Sequence, residues 1–192
     1  RETLYYVRVI QEPTPAVNGA NLRCADGGCT QLKPCYGDYR TDPKDDVLVY
    51  EETDDTFYMG VGRTRDDKYI VIGLDSTVSN ETRYTPAAAP GAFQVLAPRT
   101  RDVEYDADHH GGRWVIRTNA DGARNFKIVT AADNSSSRKD WKDWVAHDPQ
   151  VYIEEIELFD GHAAIAERSG GLERVRILKD GGASEYVKAD ES

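Results

Sequence analysis

Thr56-Phe57-Tyr58-Met59, Val103-Glu104-Tyr105-Asp106 and Val151-Tyr152-Ile153-Glu154 each place a tyrosine at the head of a strand-like segment, and the tyrosines fall 47 residues apart, twice in succession. After each head the same order returns: a turn, an apolar strand, a third strand of alternating polarity, and a fourth strand before the next start. A period in the forties built from four short strands is the sequence mark of a β-propeller blade. A lone blade leaves both faces of its sheet uncovered, so neighbouring blades must stack to make a core. The fold class this predicts is all-β: a partial β-propeller of four-stranded antiparallel blades, about three full blades plus part of another. A β-sandwich of equal strand count is the alternative, and the repeat tells against it.

The blocks divide the chain into a partial blade over 1–50, with a long Cys-containing loop at 11–39, then blades over 51–99, 100–149 and 150–192. All belong to one propeller domain fragment. A chain of 192 residues holds about four blades, whereas closed rings hold about 4–8. The chain also opens in the middle of a strand pattern, at Leu4–Ile10, so it is expected to be a piece of a longer protein. Further strands are expected at Val47–Tyr50, Phe57–Gly62, Lys68–Leu74, Glu81–Tyr84 and Phe93–Leu96. The next block supplies Val103–Asp106, Trp114–Thr118, Phe126–Thr130 and Trp141–Val145. The last supplies Tyr152–Phe159, Ala163–Glu167, Leu172–Leu178 and Glu185–Val187. Asp66-Asp67, Gly111-Gly112 and Asp160-Gly161 read as hairpin turns, and the Pro/Gly-rich run Gln11–Gly37 as a loop without regular elements.

The formal net charge is −10. That balance argues against nucleic acid, which wants clustered Lys and Arg, and suits short basic peptides, whose local concentration an acidic cavity raises. No stretch approaches the ~18 apolar residues of a membrane span, so no membrane partner is expected. Cys24, Cys29 and Cys35 lie in one loop at spacings that fit a zinc site poorly. The plain reading is three reduced thiols in a cytoplasmic protein; one local disulfide with a spare thiol is the alternative if the chain is periplasmic.

No G-x-S-x-G nucleophile signature is present, and His109, His110, His147 and His162 have no evident Ser or Cys partner. Catalytic residues, metal and cofactor are all expected to be absent from this chain. Asp106-Ala107-Asp108-His109-His110-Gly111 begins like a calcium loop, but its twelfth position is Arg117, a cation where a bidentate acid is needed; it reads as a turn whose acids cap backbone amides. Asn80-Glu81-Thr82 and Asn134-Ser135-Ser136 match a glycosylation sequon and are discounted. The run Glu51-Glu52-Thr53-Asp54-Asp55 stands apart: its carboxylates repel one another until solvent or a cation relieves them, which suits pairing with an Arg or Lys side chain.

Thr41-Asp42-Pro43-Lys44-Asp45-Asp46-Val47-Leu48-Val49-Tyr50-Glu51-Glu52, followed by Phe57-Tyr58-Met59, resembles the propeller of the prolyl oligopeptidase family (peptidase S9), in particular its oligopeptidase B (protease II) branch. Val103–Asp106 with Asp108-His109, Arg117-Thr118-Asn119 with Asn125-Phe126, and Glu167-Arg168 with Gly171-Leu172 carry the same resemblance. Together these blocks cover roughly Thr41 to Lys188; the segment Gln11–Tyr39 departs from the branch, where this hairpin is shorter. The resemblance implies a seven-bladed, non-catalytic propeller covering the α/β-hydrolase catalytic domain of a parent chain, with the Ser-Asp-His triad outside this piece. It implies a serine oligopeptidase that cuts short peptides after Lys or Arg. It also implies substrate-binding roles for Glu52 first and Glu51 second, since the position matching Glu52 in the prolyl-specific branch is an aromatic near the substrate. Two other readings stand beside it: a propeller-type interaction module without peptidase activity, and an array of blades that self-associates through open strand edges.

Overall fold

The computed structural model describes residues 22–24, 32–34, 48–135 and 137–188. The chain forms two compact units, Arg1–Glu51 and Glu52–Ser192. In the first, β1 (Leu22–Cys24) and β2 (Leu32–Pro34) pair as a short antiparallel hairpin. The run expected to lack regular elements therefore holds two short strands, and the proline among its expected breakers, Pro34, is the last residue of β2, an edge strand of a two-stranded ladder, where proline is tolerated. Leu48–Tyr50, expected as a strand, has no strand structure, and Leu48 and Val49 are exposed. β propensity alone does not hold a strand without a ladder partner. The predicted strand Leu4–Ile10, and Cys29 and Cys35, lie outside the described residues.

The second unit is three four-stranded antiparallel sheets. Sheet one is β3 (Tyr58–Arg63), β4 (Tyr69–Asp75), β5 (Asn80–Pro86) and β6 (Gln94–Val95). Sheet two is β7 (Tyr105–His110), β8 (Arg113–Thr118), β9 (Lys127–Ala132) and β10 (Lys142–Val145). Sheet three is β11 (Val151–Phe159), β12 (His162–Ser169), β13 (Leu172–Lys179) and β14 (Ser184–Tyr186). Each sheet is a meander whose strand order follows the chain, so the fold is the all-β partial propeller expected.

The sheets stack in chain order. Trp114 and Ile116 of β8 face sheet one, where they meet Tyr69, Tyr84, Leu96 and Ala97, while Val115 between them faces sheet three with Ile128, Ile153, Ile165 and Leu178. Alternate residues of one strand thus serve two cores, which period-2 geometry allows and which explains why β8 is apolar on both faces. Asn80 fastens the first joint: its Nδ2 donates to the Tyr105 carbonyl at 2.6 Å and its Oδ1 accepts the Tyr105 N–H at 2.7 Å. The sequon asparagine is therefore committed to packing. Arg117 fastens the second joint, its Nε donating to the Ile153 carbonyl at 2.9 Å with its guanidinium 3.5 Å from the Phe126 ring centre.

Sheets one and three also touch. Arg65, in the turn after β3, donates its N–H to Asp108 Oδ1 of β7 at 2.8 Å, and its Nη1 donates to Glu157 Oε2 of β11 at 3.2 Å. Sheets stacked in parallel at about 10 Å spacing would hold the first and third roughly 20 Å apart. Contact between them at β3, β7 and β11 means that the sheets converge along their first strands and fan apart toward their fourth. The first strands are the inner edge of the array.

Candidate functional site

The acidic run folds into a tight turn before β3. Glu52 Oε1 accepts the Asp54 N–H at 3.0 Å, and Asp54 Oδ1 accepts the N–H and the hydroxyl of Thr56 at 3.0 and 2.6 Å. The Thr56 side-chain and backbone hydrogen bonds hold the Asp54 carboxyl below the usual range for an aspartate. Glu51 and Asp55 are exposed.

Glu52 meets a cation of its own chain. Its Oε2 accepts from Arg99 Nη2 at 2.5 Å, and the Glu52 side chain is only 9% exposed. Arg99 also lies 3.5 Å from Glu81 and 4.0 Å above the Phe57 ring, and Glu81 pairs with Arg83 at 2.7 Å. Burial disfavours the Arg99 charge, but the Glu52 hydrogen bond and the nearby Glu81 outweigh it and hold the guanidinium firmly protonated. Glu52 therefore already pairs with a guanidinium of its own chain, that of Arg99. The sequence showed the acids; the basic half, Arg99, lies 47 residues downstream, after β6, and only the folding of sheet one brings it back.

A second polar centre lies at the opposite end of the strands and was not anticipated. His109 is fully buried, with Nδ1 2.7 Å from Asp66 Oδ2 and Nε2 2.6 Å from Asp133 Oδ1. Each ring nitrogen faces a carboxylate oxygen, so the ring bridges the two acids by hydrogen bonds. Asp133 also pairs with Lys68, and Tyr69 and Trp114 pack against the ring at 4.9 and 5.1 Å. The Lys68 hydrogen bond, followed by that of His109, holds the Asp133 carboxyl below its ordinary value against the effect of burial. Burial pushes the Asp66 carboxyl up, but hydrogen bonds from His109, the Lys68 N–H and Thr64 more than reverse it. The stretch read as a turn, Asp106–Gly111, is mostly the strand β7. Its acids do engage donors: Asp108 takes the Arg65 and His109 N–H groups, and Asp106 takes Arg117 Nη1.

The other histidines have plain partners: His110 sits on Asp160, His162 on the Asp160 carbonyl, and His147 on the Asn125 N–H. Among the described residues no group of His, Cys, Asp and Glu could hold a metal ion. No helix among them is long and apolar enough to cross a membrane. A cavity of about 330 Å³ opens between sheets two and three beside their outer strands, lined by Trp144, Ile153, Glu167, Arg176, Leu178 and Tyr186. Glu167, buried there, is neutralised by Arg176 and Arg174 and accepts the Tyr186 hydroxyl at 3.2 Å.

Against this geometry, the family model for the prolyl oligopeptidase N-terminal beta-propeller domain matches residues 2–191. The chain belongs to this family. It is 66% identical over 152 residues to dipeptidyl aminopeptidase BI of Pseudoxanthomonas mexicana, covering 79% of this chain and 21% of that protein. It is 28% identical over 142 residues to Protease 2 of Moraxella lacunata, covering 73% and 20%. Among solved structures, oligopeptidase B from Leishmania major superposes with a TM-score of 0.69 at 27% identity, over 77% of this chain and 22% of that one. Oligopeptidase B from Trypanosoma brucei, with covalently bound antipain, gives 0.67 at 26%, with the same coverage. The chain spans about a fifth of the length of these relatives.

Proposed function

We propose that this propeller is the substrate-gating part of a serine oligopeptidase that cleaves short peptides after Lys or Arg. In this reading the catalytic triad belongs to an α/β-hydrolase domain elsewhere in the longer protein, and the propeller selects what reaches it. The observation that carries it is the family match over residues 2–191, together with relatives named Protease 2 and oligopeptidase B. The acidic run supports the basic-residue preference. Glu51 offers an exposed carboxylate, while Glu52 contributes through the pair it makes with Arg99.

The relative named dipeptidyl aminopeptidase BI favours a second reading, in which the acids receive the free α-ammonium of a substrate and two residues are removed from its amino end. A carboxylate pairs with either cation, so substrate chemistry separates the two. The full-length protein is assayed on Arg-Arg-aminomethylcoumarin with a free and with an acetylated amino terminus. Cleavage of both forms supports the endopeptidase, and cleavage of the free form alone supports the dipeptidyl aminopeptidase. No cleavage of either, or of longer Arg/Lys peptides, returns the chain to the interaction-module reading. Glu51→Gln and Glu52→Gln should each lower kcat/KM for Arg-Arg substrates more than for single-Arg substrates, with thermal unfolding followed in parallel because Glu52 also holds Arg99. Equal losses on both substrates contradict a substrate-binding role.

A further inference from the structure

The two joints between sheets follow one plan and are filled differently. At the first, Tyr105 pairs with Thr118 of β8, and Trp141, just ahead of β10, packs edge-on against its ring with centres 5.6 Å apart. At the second, the corresponding positions hold Ile153, paired with Glu167 of β12, and Ser184, the first residue of β14. An isoleucine and a serine do not fill the space that two aromatic rings fill. Ile153 and Ser184 accordingly line the cavity of about 330 Å³. Its sheet-three wall is the side turned toward sheet two, since Leu178 lies opposite both Ala163 and Ser184, and Arg176 opposite both Ile165 and Tyr186. Sheets two and three each have all four strands. A further blade on the far side of sheet three therefore does not cover this cavity.

The lining carries one usable charge of each sign. Glu167 is spent: it is buried, opposed by Arg174 and Arg176, and accepts the Tyr186 hydroxyl. Arg176 is 19% exposed, and among the described residues Glu167 is its only carboxylate partner. A guanidinium carries more donors than one such contact uses. Asp148 is exposed at the mouth, where Oδ1 accepts the Gln150 N–H at 2.8 Å and oxygen lone pairs remain. Two arginines against Glu167 leave one positive charge, which Asp148 balances, so a ligand with a net charge gains nothing over a neutral one. Trp144 and Leu178 add apolar surface. The volume lies at the small end of ligand pockets, about 300–1,000 Å³.

We propose that the cleft between sheets two and three binds a small zwitterion of amino-acid or dipeptide size, its carboxylate on Arg176, its ammonium on Asp148 and its apolar body against Trp144 and Leu178. Under the proposed peptidase function such molecules are products of the reaction, and the biological meaning of the site rests on that reading. Binding itself does not require catalysis.

The test is isothermal titration of the full-length protein with leucine and with leucyl-leucine, before and after treatment with a serine-directed fluorophosphonate. Saturable binding of either probe that survives the treatment is expected, and the tighter of the two gives the size of the ligand. N-acetyl-leucyl-leucine, which lacks the ammonium, should bind about two- to five-fold more weakly, as for an exposed pair. Leucyl-leucine amide, which lacks the carboxylate, should bind about ten-fold more weakly. Asp148→Asn, a surface change that leaves folding intact, should erase the penalty for acetylation and keep the penalty for amidation. Ser184→Phe should fill the cavity and abolish binding without lowering the thermal unfolding temperature, whereas Glu185→Phe, on the opposite face of the same strand, should bind as wild type does. No saturable binding, loss of binding after fluorophosphonate treatment, equal affinity for the capped forms, an acetylation penalty that survives Asp148→Asn, or wild-type binding by Ser184→Phe overturns the site. Fluorophosphonate incorporation, read by mass spectrometry, reports separately on the peptidase assignment.

Discussion

Replacing His109 by Leu keeps roughly the volume of the ring and removes both of its hydrogen-bonding nitrogens. The ring sits at the joint of sheets one and two, where it ties together carboxylates from each. Asp66 comes from the turn after β3, and Asp133 from the end of β9. Two charge-assisted hydrogen bonds, at 2.7 and 2.6 Å, are worth about 1.5–3 kcal/mol each. Asp66 and Asp133 are 23% and 39% exposed, so both rehydrate in part when the imidazole ring is gone. Asp66 also keeps Thr64 and the Lys68 N–H, and Asp133 keeps Lys68. The loss therefore falls at the low end of that range, about 3 kcal/mol for the pair. Thermal unfolding should drop by about 6–12 °C for a domain of this size. Acid weakens the contrast. Both carboxyls titrate below 3.8 in the folded protein, so their contribution is complete above that value and fades as the pH falls through the depressed ones. Urea denaturation of wild type and variant from pH 7 to pH 3 should show a gap that narrows below about pH 4. A loss under 1 kcal/mol at pH 7, or a gap constant down to pH 3, refutes the reasoning.

Two further substitutions probe the joints. Tyr105 is buried, and its hydroxyl donates to the Ala97 carbonyl and accepts the Thr82 N–H, each at 2.8 Å, while burial pushes its phenol up to about 12. Tyr105→Phe strands a buried donor and acceptor and should cost about 1–3 kcal/mol in urea denaturation; a neutral result contradicts the bridging role. Arg117→Lys cannot stack on Phe126 and at once reach Ile153 and Asp106, so it should cost about 1–2 kcal/mol, and full retention of stability counts against the second joint.

Much of the fold was legible because a propeller repeats. Tyr58, Tyr105 and Tyr152 recur at the start of β3, β7 and β11, and Gly111, Gly112 and Gly161 take the positive φ that their tight turns demand. The strand ends were less legible. β7 runs on through Asp106-Ala107-Asp108-His109-His110, a stretch too polar to read as a strand when its partners are unknown. Each charge there is matched by a group distant in sequence: Arg117 on β8, Arg65 in an earlier turn, and Asp66 and Asp133 around His109. A local reading sees only half of each pair, so it described the Asp106–Gly111 stretch as a turn and missed His109 as the hub of a joint. The 3-10 turn Arg138–Asp140, capped by the Ser137 side chain, is similar, since Ser and Asp content read locally favours a loop. At the acidic run the acids were plain, and Arg99, their internal partner, was hidden by the distance along the chain.

The whole account depends on sheets that fan outward from a shared inner edge. Distances between spin labels in the full-length protein, with Cys24, Cys29 and Cys35 replaced by Ser, test this directly. One pair replaces Arg65 and Glu157 on the inner side; the other replaces Gln94 of β6 and Glu185 of β14 on the outer side. The account predicts an inner pair well under 20 Å and an outer pair well beyond it, since parallel stacking would give roughly 20 Å for both. Two equal distances would contradict it.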